Sequence, residues 1–235
     1  FYITKGLHKR WFAVIFAISI FAQFGLTNNM VQANTISSAF TEAFAITPMT
    51  MAILLCALAL AVVFRGIQRI AKVCSYIVPF MALAYLGIAI WVLVVNITAI
   101  PQVLGIIVKS AFGFEQAAGG AIGMAILMGF KRGIFSNEAG EGSAPNAAAT
   151  ADVSHPVKQG LIQTLGVFTD TLVVCTCTAL IIMCSGLYNC GANGIELTQV
   201  ALTHHIGPAG KYIIALCILF FAFSSVIGNY YYGEC

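Results

Sequence analysis

Charged side chains make up only 8% of this 235-residue sequence, against roughly 25% in soluble domains. With 60% hydrophobic residues and a mean hydropathy of +0.95, the chain does not fold in water, and no part of it would form a soluble domain of useful size. Basic runs are missing, so nothing points to nucleic acid, and a net charge of +3 says little about partners. The eight cysteines contain no C-x-x-C pairing. Cys175, Cys177 and Cys184 lie in an apolar segment, where a thiol acts mostly as a small hydrophobe, and no histidine accompanies them at ligand spacing. Phe1–Arg10 is too polar for a signal peptide. Phe1 stands where an initiator methionine would, and Cys235 follows directly on Tyr230–Tyr232, so we expect an internal fragment of a longer membrane protein, cut at both ends.

What the sequence has is a set of membrane-length apolar segments, each needing about 20 residues to span. They cover Trp11 to about Phe40, Pro48–Phe64, Tyr76–Asn96, Gln116–Thr150, Pro156 to about Ser185, and Ala209 to Tyr232. Gln102–Phe112 is too short to span and carries Lys109 on an apolar strip, which predicts an interfacial helix. Asp152 and Ser154 are placed to cap the fifth span. Asn189, Gly191, Asn193 and Gly194 mark a loop before the sixth. On this layout Lys5, Lys9, Arg10, Arg65, Arg69, Lys72 and Lys158 fall on one side, and Lys109 and Lys211 on the other. The richer side should be cytoplasmic.

The fourth span is broken. Its first half is apolar and glycine-rich, which suits close helix packing. Its second half, GFKRGIFSNEAGEGSAPNAAAT, carries Lys131, Arg132, Glu138 and Glu141 with Gly133, Gly140, Gly142 and Pro145. Such a stretch is tolerated at membrane depth only where it faces protein or lines a cavity, and ionisable groups there mark a site by default. Residues near Phe135–Gly142 should leave helical geometry. Freed carbonyls can accept an ammonium group or a cation, and the amides opening the second half-helix can receive a carboxylate. A zwitterionic amino acid suits such a site; a kink merely stabilised by neighbours is the plainer reading. Each charge, with Asp170 near the middle of the fifth span, needs a partner, as an ion pair, a hydrogen-bonded anchor, or through substrate or proton handling.

Two other polar clusters are candidates. Asn28, Asn29, Gln32 and Asn34 lie in the outer half of the first span, and Asn28 and Gln32, four apart, share a helix face that should look into the bundle. Helix–helix hydrogen bonding would explain them equally. Ser224 and Ser225 offer hydroxyls that suit a small hard cation, although serines also bond back to their own helix. Tyr230–Tyr232 sits where an interfacial aromatic belt would lie, and His204-His205 reads as a solvated pair in a short polar loop. A metalloenzyme built on His155, His204 and His205 lacks ligand spacing and any nucleophile–base pair. No filter sequence suggests a channel.

The stretches FGLTNNMVQANTIS, GIQRIAKVCSYIVPFMA, GFKRGIFSNEAGEGSAPNAAATADVSHPVKQGL with FTDT, and FAFSSVIGNYYYGE make the chain similar to the alanine/glycine:cation symporter family over essentially its whole length. The resemblance implies an all-α integral membrane protein of the leucine-transporter type, an inverted-repeat helical bundle. This chain, a single transmembrane domain over 1–235, would supply about six transmembrane helices of it, core helices three to eight. Residues 116–150 would be the discontinuous helix of the second half, and its discontinuous partner would lie outside this sequence. The implied activity is symport of a small neutral amino acid with a sodium ion across the cell membrane, with proton coupling through Glu138 or Asp170 as the alternative and no enzyme chemistry. Residue by residue, Gln32 matches a substrate-facing glutamine. Phe135, Ser136, Asn137, Ala139 and Gly140 match the unwound region whose backbone contacts substrate. Ser225, preceded by Ser224, matches a hydroxyl residue near sodium. Asn229 stands where many members carry tryptophan, which predicts a pocket open to a longer side chain such as glutamine, unless Asn229 faces a neighbouring helix.

Overall fold

The computed structural model describes residues 2–64, 67–111, 119–138 and 140–234. Arg65, Phe112, Gln116 and the candidate Ala139 lie outside the described residues.

Every described element is a helix. After α1 (Tyr2–Gly6), α2 (Arg10–Ala22) runs through a π-helical turn at Gln23–Thr27 into α3 (Asn28–Phe44). The left-handed Ala45 ends α3, and Thr47 caps α4 (Pro48–Val63), whose first position is the proline that a first helical turn accepts without loss. Then come α5 (Ile67–Val95), α6 (Ile100–Ala111), α7 (Gly119–Asn137) and the short α8 (Ser143–Ala148). Next, α9 (Pro156–Phe168) continues through a second π-helical turn, Thr169–Cys175, into α10 (Thr176–Ser185). Finally α11 (Ile195–Ile206) and α12 (Ala209–Glu234) close the chain.

Four stretches are long and apolar enough to cross a membrane: Arg10–Phe44, Lys72–Val95, Pro156–Ser185 and Ala209–Gly233. Their exposed surface carries residues such as Trp11, Ile18, Phe80, Leu83, Leu161 and Leu165, as expected of a multi-pass protein whose solvent is hydrocarbon. The 16 residues of α4 reach about 24 Å at 1.5 Å per residue, short of the roughly 30 Å hydrocarbon core.

Three expectations need correcting. A helix, α11, occupies part of what reads as the loop before the last span, and it carries His204 and His205. His205 is partly buried, its Nε2 3.0 Å from the Ile181 carbonyl and its Nδ1 3.3 Å from the Asn96 amide. It therefore tethers α5, α10 and α11 instead of meeting solvent. The cap of α9 is His155, whose Nδ1 accepts the Val157 amide at 3.2 Å, whereas the Ser154 hydroxyl accepts from Lys158 at 2.6 Å.

The core gathers around α12. On one side Ala215, Ala222, Phe223 and Ile227 pack with Ile36, Phe40, Met51 and Leu55 of α3 and α4. On the other, Ile214 and Cys217 pack with Tyr85, Ala89, Ile181 and Leu202 of α5, α10 and α11. Two features fix the α11–α12 corner. Gln199, 2% exposed, donates to the Ala39 and Lys211 carbonyls at 3.0 and 3.4 Å. At Gly210 a Cβ would lie 2.6 Å from the Leu202 carbonyl carbon, a distance backbone atoms cannot relieve. Gly210→Ala should therefore lower stability by about 1–3 kcal/mol, as overpacking does. Thermal unfolding of the detergent-solubilised protein reads this, and an unchanged midpoint would show that the corner is loose.

Candidate functional site

The break between α7 and α8 is built from positive backbone dihedrals. Glu138, Gly140 and Gly142 have φ of 54°, 84° and 88°. Two of the three are glycines, which adopt this region without penalty. Glu138 is not, and a left-handed non-glycine persists only where its surroundings hold it. Those surroundings are specific. The Glu138 carboxylate accepts the Ser143 hydroxyl at 2.5 Å, from the fully buried first residue of α8. Tyr232, near the end of α12, lines one cavity together with Glu138. The Glu141 amide closes a turn on the Glu138 carbonyl at 3.2 Å. Gly142 has a second reason to be glycine: a Cβ there would meet the Phe16 ring of α2 at 2.5 Å.

Unwinding begins later than the sequence suggests. Phe135, Ser136 and Asn137 are the last residues of α7, because the neighbouring π turn ties their end down. Ser136 donates to the Asp170 carboxylate at 2.6 Å, and the Asn137 amide donates to the Thr171 hydroxyl at 2.9 Å. A π turn holds an extra residue and often marks a functional site; here it aims adjacent side chains at two adjacent residues of α7. The Cys175 thiol joins the group, 3.1 Å from the Ser136 hydroxyl. Two of the charges expected to need partners find hydroxyl donors, Ser136 for Asp170 and Ser143 for Glu138, whereas the buried Glu141 Oε2 has no hydrogen-bond partner among the described residues. Lys131 and Arg132 are exposed on α7.

A cavity of about 580 Å³ opens beside the break, lined among others by Ser136, Asn137, Glu138, Gln163, Asp170 and Tyr232. Gly140 also borders it. Of the candidate residues, then, the structure brings Ser136, Asn137 and Gly140 together with both carboxylates. Phe135 is exposed on α7, and Gln32 is half-buried on α3. Asn229, 3% exposed, donates to the Asn29 side-chain oxygen at 2.8 Å and so ties α12 to α3; this is the helix-facing arrangement of the two that the sequence left open. Ser224 and Ser225 both donate to the Phe221 carbonyl, at 2.8 and 3.1 Å. Their protons point into their own helix, and their oxygen lone pairs remain able to accept a hard cation such as sodium, so the pair fits as a partial ligand set.

The last expectation to correct concerns the aromatic belt. Tyr230 is 42% exposed, but Tyr231 bonds Thr150 just after α8, and Tyr232 lines the cavity with Glu138 and meets the buried Phe24 edge-on at 5.1 Å. Phe24 belongs to the first π turn, so both π turns border the break region. Tyr231, Tyr232, Ser143 and Thr171 were not among the sequence candidates. Ser143 could have been found as a small polar residue opening a helix after glycine; the tyrosines meet their partners only across more than 80 residues of chain. Among the described residues no cluster of three or more metal-ligating side chains occurs.

Comparison with known proteins agrees with this picture. The family model described as the sodium:alanine symporter family matches residues 1–235. GlnT of Bacillus subtilis, named a probable sodium/glutamine symporter, is 54% identical over the whole of this chain and 49% of its own length. AlsT of the same organism, named an amino-acid carrier protein, is also 54% identical, over 50% of its length. A sodium/proton-dependent alanine carrier protein of Bacillus sp. (strain PS3) is 40% identical over 87% of this chain and 49% of its own. The chain spans about half the length of the curated relatives it matches.

The contact between α7 and the second π turn can be dissected directly. Ser136→Ala and Asp170→Asn should each cost about 1 kcal/mol, the net worth of an ordinary hydrogen bond. Combined, they should cost little more than either alone. Fully additive losses in a double-mutant cycle would mean that the two side chains do not act on each other.

Proposed function

The chain belongs to the sodium:alanine symporter family, and from that premise we propose that the protein carrying it is a sodium-coupled symporter of a small neutral amino acid. The family and the named relatives are transporters, so the reading is transport and not catalysis. The observation that carries it is the break itself. Three left-handed residues interrupt a helix beside a cavity whose lining includes Ser136, Asn137, Glu138 and Asp170, in an otherwise apolar bundle. Backbone groups freed in this way are costly in hydrocarbon, and a transported zwitterion is the ligand such groups suit. The architecture that fits is the leucine-transporter type, with the six segments as core helices three to eight, α7 and α8 as the two halves of the discontinuous sixth, and α6 lying at the interface. The cell membrane is the location this activity needs. Alternating access would then be movement of neighbouring helices about the break, the substrate lying against Ser136, Asn137, Ala139 and Gly140, with Gln32 and Phe135 completing the wall.

Sodium is preferred to the proton as coupling ion for a reason visible in the hydrogen bonds. Both carboxylates that could relay a proton, Glu138 and Asp170, already accept hydroxyl donors, so part of their acceptor capacity is taken. Ser224 and Ser225 keep free lone pairs of the kind sodium takes. Alanine and glycine are the proposed substrates, with glutamine as a further candidate. For glutamine stand Asn229 in place of tryptophan and the name of one relative; the bond from Asn229 to Asn29 weighs towards a helix contact.

Uptake by the natural protein containing this sequence, reconstituted in liposomes, tests this. Replacing sodium by choline at fixed pH should abolish accumulation of labelled alanine, and undiminished uptake driven by a pH gradient alone would replace sodium by the proton. Unlabelled glycine and glutamine should both compete; failure of glutamine to do so removes it. Ser225→Ala should raise the sodium requirement on the order of tenfold, about 1.4 kcal/mol. An unchanged sodium titration removes Ser225 from the ion site.

A further inference from the structure

We propose that Tyr231 and Tyr232 link α12 to the break, so that ion occupancy on α12 sets the geometry of the substrate site, with Glu138 as the receiving residue. The proposal rests on the sodium-symport reading of the same site. Its geometric basis is that the two consecutive tyrosines meet both flanks of the interruption. Tyr232 lines the cavity together with Glu138, the residue at which the chain leaves α7, and Tyr231 bonds Thr150, just beyond the end of α8. Between these two anchors lie the left-handed Gly140 and Gly142, the part of the chain with the least regular hydrogen bonding to resist movement.

The other end of the link is set by helix periodicity. Ser224 and Tyr231 are seven residues apart, as are Ser225 and Tyr232. Seven residues make about two turns, or roughly 10 Å along the axis, and return to nearly the same face. Both pairs lie within the single helix α12, so a cation drawing on the serine oxygens would rotate or shift the tyrosines with them as one body. The tyrosines could not follow such a shift freely. Tyr232 packs edge-on against the fully buried Phe24, which restricts the direction its hydroxyl can take. Glu138, at φ 54° with its carboxylate on the Ser143 hydroxyl and Tyr232 on the same cavity wall, is the residue whose backbone would relax if that wall moved. These tyrosines are therefore positioning residues, acting on substrate through the break.

The experiment measures the thermodynamic coupling between the two ligands in the natural protein containing this sequence. Equilibrium binding of labelled alanine is titrated without sodium and at saturating sodium, and the ratio of the two affinities is the coupling factor. For the unmodified protein this should fall on the order of 5–150-fold, the usual range for coupled sites. Tyr232→Phe removes one oxygen and keeps the ring on Phe24; it should reduce the factor by at least about threefold while leaving the melting temperature unchanged. Glu138→Gln should produce the same loss, and the double variant no further loss. An unaltered factor in Tyr232→Phe, or losses that multiply in the double variant, would overturn the link. If Glu138→Gln fails to fold, Tyr231→Phe and Thr150→Val form the second pair and must show the same shared loss. Should Ser225→Ala lose sodium dependence while the tyrosine variants keep it, the link fails and the sodium reading stands. Absence of any sodium effect in the unmodified protein defeats both.

Discussion

Hydrocarbon offers no hydrogen-bond partners, and the structure is organised by that fact. A backbone that stays helical satisfies itself; one that leaves the helix must be satisfied by its neighbours or by a ligand. At residues 138–142 the chain leaves the helix, and the elements packed around it hold the side chains that border the interruption. Ser143 binds the carboxylate of Glu138, Asp170 and Thr171 bind the last side chains of α7, and Tyr231 binds Thr150. Few charges are present, and two of the three carboxylates near the break, Glu138 and Asp170, accept hydroxyls, an arrangement that fixes direction without the desolvation cost of bringing two full charges together.

The same constraint explains why α12 is central. It is the helix that packs against both halves of the core, and its second half carries Ser224, Ser225, Asn229, Tyr231 and Tyr232. Upstream of Ser224 its face is apolar and closely packed, down to the Gly210 contact on the Leu202 backbone. One end of the helix is thus fixed by packing, and the other end carries the polar contacts to α3 and to the break. The two π turns serve the polar end, Gln23–Thr27 by placing Phe24 on Tyr232, and Thr169–Cys175 by presenting Asp170 and Thr171 together.

Much of the site was legible in order and type. Proline and glycine spacing located α4, α9 and the break, and the apolar runs located the long helices to within a few residues except at the start of α5, which begins at Ile67 and not near Tyr76. The misreadings share a cause. His204-His205 looked like loop because both side chains are polar, but α11 is shielded at their level by Ile181 and Asn96, whose carbonyl and amide give His205 its partners. Phe135–Asn137 looked unwound because glycine and charge surround them, yet Asp170 and Thr171 hold that end helical. Tyr231 and Tyr232 looked interfacial because aromatic rings near a helix end so often are, and only the approach of Glu138 and Thr150 gives them another role.

By itself, then, the sequence determined the solvent, the helical class, the position of the break and the family, because hydropathy, glycine and proline act over a few neighbouring residues. Only the tertiary structure decided where helix geometry ends and which hydroxyl meets which carboxylate. It alone turned Asn229 towards Asn29 and the tyrosines towards the break. Those outcomes depend on side chains between 5 and 200 positions apart in the chain, and no local pattern encodes the register in which such distant segments pack.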